Sequence, residues 1–118
     1  MKLQLAYVGM DEVQRAQAVD LSHYWGVSLA TAPHFDRLEA SHLGGAIVSF
    51  DALSHADQAR WAWQLIALHM DYPVAAHGYN LGENLTALLR EHDIPVFSKL
   101  DGKVFASLLR VPADAIAM

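Results

Sequence analysis

The chain has 118 residues, enough for one domain. Hydrophobic residues make up 53% and charged residues 18%, which supports a packed core and excludes disorder. The formal net charge of −5 removes the general attraction to phosphate backbones and anionic lipid, so neither nucleic acid nor a membrane is an expected partner. There is no cysteine, which excludes disulfides, cysteine–zinc sites and thiol catalysis. No apolar run reaches the roughly 18 residues of a membrane span. The polar start Met1-Lys2-Leu3-Gln4 does not read as a signal peptide, so a cytoplasmic location is expected.

Two periods alternate along the chain. Leu3, Leu5, Tyr7 and Val8 form a short apolar run that ends at Gly9, a first strand. Asp11 and Glu12 open a helix that runs to Trp25 and stops at Gly26, although its apolar stripe is untidy. Val27 to Ala32 reads as a second strand, stopped by Pro33. A short helix with Phe35, Leu38 and Leu43 follows, closed by Gly44-Gly45. Ala46 to Phe50 is a compact apolar run, expected as a central strand buried on both faces and ending at Asp51.

The next helix is expected from about Ala56 to Met70, with Asp57, Arg60 and Gln64 as a polar stripe. Its apolar arc is wider than one sheet contact requires. Trp61, Trp63, Leu65 and Leu68 therefore serve either the core or a partner surface. Pro73 to His77 reads as a fourth strand. Asn80 with Glu83 has the spacing of a capping box before Leu81, Leu85, Leu88 and Leu89. Ile94 to Phe97 reads as a fifth strand. Asp101 caps a last helix carrying Val104, Phe105, Leu108 and Leu109, which Pro112 ends. Residues 1–112 thus form one α/β domain, and 113–118 a tail or the start of a linker.

Repeated strand–helix alternation implies parallel strands with right-handed crossovers and helices on both faces, a three-layer αβα sandwich. Ligands in such a sheet bind beyond the carboxyl ends of the strands. Those ends deliver Gly9, Met10, Asp11 and Glu12, then Asp51, then His77, Gly78, Tyr79 and Asn80, then Ser98 and Lys99. A carboxylate, an imidazole and an ammonium can meet at one edge. Against this stands a plainer reading, in which polar residues gather there because loops begin there. The seven histidines offer no His-Glu-x-x-His run and no i, i+4 pair on one helix; His34 and Asp36 could share an ion. There is no Gly-x-Ser-x-Gly elbow and no dinucleotide fingerprint.

With these elements in place, the layout from Leu3 to about Arg110 resembles a response-regulator receiver domain. Asp51, at the end of Ala46-Ile47-Val48-Ser49-Phe50-Asp51, matches the carboxylate that accepts a phosphoryl group in that family. Lys99, in Phe97-Ser98-Lys99-Leu100-Asp101, matches the lysine that contacts the acyl phosphate. The resemblance implies a flavodoxin-like five-stranded parallel sheet in the order 2-1-3-4-5. The departures are specific. Gly9 and Met10 stand where the family carries the acidic pair that holds Mg²⁺. Gly78 stands where it carries a serine or threonine, and Leu100 where a proline follows the lysine. Were Mg²⁺ bound, Asp11, Glu12 and Asp51 would be its set; without the pair, no resident cofactor is expected. This pattern implies a degenerate receiver that signals through a protein partner or a second copy. A shorter likeness, Leu88 to Phe97, is to a segment of the flavodoxin-like domain of NDP-forming acyl-CoA synthetases. The rival expectation is an enzyme or binding domain for a nucleotide, CoA-like molecule or anionic metabolite at the edge near Gly9, His77 and Lys99.

Overall fold

The computed structural model describes residues 4–37 and 43–109. The elements are β1 (Gln4–Val8), α1 (Glu12–Trp25), β2 (Ser28–Ala32), a single 3-10 turn (Phe35–Arg37), β3 (Leu43–Ser49), α2 (His55–His69), β4 (Val74–His77), α3 (Glu83–Glu91), β5 (Val96–Phe97) and α4 (Gly102–Leu109). All strand pairs are parallel, and the order is β2-β1-β3-β4-β5. In register, Val8 lies beside Val48, Ser49 beside His77, and His77 beside Phe97.

Side chains alternate across the sheet and divide the interior in two. Ala6, Val8, Ala46, Val48 and Phe50 face α2 and α3, where Trp61, Ala62, Leu65 and Leu89 cover them. Leu5, Tyr7, Ile47 and Ala75 face α1 and α4, where Ala18, Val104, Phe105 and Leu108 cover them. Two covered faces explain why β1, β3 and β4 read as continuous apolar runs. Among the described residues, no helix is long and apolar enough to cross a membrane.

The ends of α1 follow the sequence. The Asp11 side chain accepts hydrogen bonds from the Val13 and Gln14 N–H groups. Gly26 closes the helix at φ 66°, a conformation that glycine adopts without strain. Asp101 likewise accepts from the Lys103 N–H at the start of α4.

Three expectations are corrected. The short helix through Leu38 and Leu43 reduces to the 3-10 turn; Leu38 lies outside the described residues, and Leu43, Gly44 and Gly45 belong to β3. The glycine pair is not a helix stop. A Cβ on Gly45 would lie 2.9 Å from the Pro73 carbonyl oxygen, so this glycine lets β3 pass close to the entry of β4. Gly45→Ala is expected to cost about 1–3 kcal/mol through overpacking against backbone, read as a lower urea midpoint. The capping box is also absent. Gly82 is the N-cap of α3 and makes no side-chain bond, while Asn80 and Leu81 precede the helix. Leu81 instead packs toward the sheet edge over Gly78, and the helix begins two residues later, at Glu83. Finally, only Val96 and Phe97 pair with β4; Ile94 is a buried core residue outside the strand. The expected tail at 113–118 lies outside the described residues.

Candidate functional site

Parallel pairing carries the ends of β1, β3 and β4 to one edge. β3 stops at Ser49, Phe50 is buried, and Asp51 opens the turn into α2. Ala52 takes the left-handed conformation at φ 64°, which turns the chain sharply behind the carboxylate. Asp51 is half-buried, and both of its oxygens are engaged. Oδ2 accepts from Gln14 Nε2 at 2.7 Å, and Oδ1 accepts from the Tyr79 backbone N–H at 3.0 Å.

Behind Asp51 lies a buried polar network. Ser49 Oγ donates to Gln14 Oε1 at 2.6 Å, and the Tyr7 hydroxyl donates to the same oxygen at 3.4 Å. The Tyr7 hydroxyl also meets His77 Nε2 at 2.9 Å. His77 is fully buried, and its Nδ1 has no hydrogen-bond partner among the described residues. Burial pushes the Tyr7 hydroxyl well above its ordinary pKa, and the nearby Asp51 charge adds to that. Burial pushes His77 down to about 4, opposed in part by Asp51. Both rings are therefore neutral at pH 7. Each member is bonded to the next, as buried polar groups must be if they are not to destabilise the fold.

The remaining predicted residues take other positions. The Gly9 N–H donates to the Ala32 carbonyl, and its own carbonyl accepts from Arg15 at 2.6 Å. Met10 is exposed. Asp11 is committed to capping α1, and Glu12 lies exposed on its first turn. Among the described residues, no group of three His, Cys, Asp or Glu side chains could hold a metal ion, so Asp11, Glu12 and Asp51 do not converge as a Mg²⁺ set. Ser98, Lys99 and Asn80 are exposed, and Lys99 makes no ion pair among the described residues. At Gly78 a Cβ would lie 2.8 Å from Leu81 Cδ2 and 3.3 Å from Asp51 Oδ1, so a serine or threonine there needs Leu81 to move. His77 is enclosed, so it does not present its ring at the edge as the sequence suggested.

The interface expectation is corrected in part. Trp61 and Leu65 are core residues, and Leu68 packs half-buried on the same core. Trp61 lies edge-on to Phe35 at 5.3 Å and to His34 at 6.1 Å, which fixes it inside. Trp63 alone of the four stays outside, 56% exposed and edge-on to His92. Beside Trp61, where the strand order reverses, Met10, His34, Asp36, Leu53 and Arg60 border an open groove of about 440 Å³.

Sequence reasoning passed over Gln14, Ser49 and Tyr7. A signal was present in α1. Gln14, Ala18 and Ser22 are its buried residues, spaced i, i+4, i+8. The untidy stripe is a genuine inward face built of polar and small residues.

No known protein family and no curated protein matches the sequence. Solved structures do match. A CheY-like receiver domain from Methanospirillum hungatei superposes with a TM-score of 0.73 at 6% identity, covering 93% of this chain and 92% of that one. The chemotaxis protein CheY4 of Vibrio cholerae gives 0.69 at 8% identity, covering 95% and 100%. A putative pilus assembly-related protein from Burkholderia pseudomallei gives 0.67 at 13% identity, covering 92% and 87%. The β2-β1-β3-β4-β5 sheet with helices on both faces gives this chain the fold of the response-regulator receiver domains, as the sequence layout implied.

Proposed function

We propose that this chain is an atypical receiver-like regulatory domain that acts through protein contacts and is not efficiently phosphorylated. The observation that carries the reading is the pair of neutral donors on Asp51, Gln14 Nε2 and the Tyr79 N–H. Phosphoryl transfer to a carboxylate forms an O–P bond at the carboxylate while the donor's own P–O bond breaks. The attacking and transferring groups are both anionic, so a divalent cation must offset their charge. Here one carboxylate oxygen is engaged by a side-chain amide and the other by a backbone N–H. Gly9 and Met10 supply no carboxylate, Asp11 caps a helix, and Lys99 is exposed without an ion pair among the described residues.

A regulatory role by contact needs only a folded surface, and the same architecture serves many functions. The domain is expected in the cytoplasm, without a resident metal, with a protein or a second copy as partner. Exposed Trp63 belongs to the surface such a partner would use. The ligand-binding rival loses its imidazole, because His77 is sealed behind Tyr7.

Incubation with a small acyl phosphate and Mg²⁺ tests the reading by intact mass. No phosphoryl increment is expected. A stoichiometric adduct that disappears in Asp51→Asn would overturn it. Sedimentation over a wide concentration range decides between the partners: a strict monomer removes the second copy and leaves a heterologous protein.

A further inference from the structure

We propose that Gln14 is a two-position amide switch that couples the charge of residue 51 at the sheet edge to the proton position on His77 in the core. Donors and acceptors, with the avoidance of an unpaired buried N–H, set the arrangement. A carboxylate can only accept, so the side of the Gln14 amide facing Asp51 must be Nε2, at 2.7 Å. Oε1 therefore faces Ser49 and Tyr7, and both hydroxyls donate to it. The single Tyr7 proton is then used. With that proton on Gln14, its oxygen accepts from His77 at 2.9 Å, and Nε2 of that ring carries the hydrogen; the reverse direction, Tyr7 donating to Nε2, goes with the opposite tautomer. Nδ1 is left as a bare lone pair, and it is the nitrogen of this ring with no hydrogen-bond partner among the described residues. The opposite tautomer would bury an unpaired N–H, which folded proteins avoid more strictly than an unpaired acceptor. Every donor from His77 onward thus points toward Asp51.

Replacing the carboxylate by a group that both donates and accepts reverses the chain. In Asp51→Asn the Tyr79 N–H keeps its acceptor at Oδ1, which turns the new Nδ2 toward Gln14. The Gln14 amide answers by rotating half a turn about its last bond. Oε1 now accepts from that Nδ2, and Nε2 donates to Ser49 and Tyr7. The Tyr7 proton swings to His77 Nε2, so the ring carries its one proton on Nδ1, exchanged with water during local opening, and the bond between the Gln14 and Asn amides offsets the unpaired N–H this buries. No heavy atom outside the amide changes place. Tyr7 and His77 stand on β1 and β4, the two neighbours of β3, so the effect crosses the centre of the sheet.

This coupling shares the Asp51–Gln14 contact with the proposed function. Its test reads an imidazole and not phosphoryl uptake, so either can fail alone. Long-range ¹H–¹⁵N spectra of the full chain report the tautomer of each histidine, and the His77 ring is assigned by its loss in His77→Leu. The wild type is expected to show Nε2–H. Asp51→Asn is expected to move the population to Nδ1–H, and in a Gln14→Leu background the same substitution is expected to leave the ring unchanged. An Nδ1–H ring in the wild type overturns the proposal without any variant. So does a ring that ignores Asp51→Asn, or one that responds equally without Gln14. Should Asp51→Asn not fold, the wild-type tautomer decides.

Discussion

Trp61→Ala is expected to lose about 3–5 kcal/mol of folding free energy, while Trp63→Ala, two residues along the same helix, loses about 1 kcal/mol or less. Trp61 is 5% exposed and sits against Phe35 and His34 on one side and the core of β1, β3 and β4 on the other. Truncation removes its burial and leaves a cavity that strands cannot collapse to fill. A domain of this size holds about 5–15 kcal/mol in all, so the loss is a large share. Trp63 is 56% exposed and lies edge-on to His92, so truncation leaves no buried cavity. Urea denaturation separates the two. With a slope of about 2 kcal/mol per molar, about 4 kcal/mol moves the midpoint by about 2 M. Equal losses from the two tryptophans would contradict this packing.

The second large effect is on pH. His77 is held at about 4 in the fold, against an ordinary 6.5, because burial penalises its charged form. Between those values the unfolded chain binds a proton that the native state refuses. Its stabilising contribution is therefore complete above pH 6.5, falls as pH drops from 6.5 to about 4, and is gone below. At about 1.4 kcal/mol per pH unit the loss is about 3 kcal/mol across that window. Tyr7 is the ring's direct partner and stays neutral throughout, so it offers the imidazolium no compensating charge. His77→Leu removes the titrating group. The wild-type stability curve is expected to fall by about 3 kcal/mol relative to that of His77→Leu on acidification from about pH 6.5 to about 4. Parallel curves would show that His77 does not carry the acid sensitivity.

Much of the architecture was legible because strand burial and helix ends write strong local signals. Ala46 to Phe50 reads as a central strand because both its faces are covered, and Gly26 reads as a stop because glycine takes φ 66° without strain. Asp51 was legible as a residue of the edge just past β3 for the same reason. What misled was residue chemistry that has two structural uses. The Gly44-Gly45 pair suits a helix terminus, yet Gly45 serves a close passage beside Pro73 that depends on residues far apart in the chain. Asn80 and Glu83 have the spacing of a cap, but Leu81 between them is drawn to the core and the helix starts later. Trp61 and Trp63 are alike in sequence, and only the rotation of α2 on the sheet separates them. The partners of Asp51 were the least legible. Gln14 lies 37 positions away and Tyr79 28, and a glutamine in a helix carries no mark of what it will touch.

One amide group separates this edge from a different chemistry. A glutamine and a glutamate differ in a single functional group at the same reach. Gln14→Glu would bring a second carboxylate to within contact distance of Asp51 in place of a donor. Two such anions cannot both stay ionised without a proton or a cation between them. The contact that now leaves Asp51 self-sufficient would become a repulsion that only an ion from solution could relieve. In genetic terms the distance between the two is one base, since each glutamine codon becomes a glutamate codon by one change. The quiet edge of this domain is thus a near neighbour, in sequence space, of one that must take up a proton or a cation.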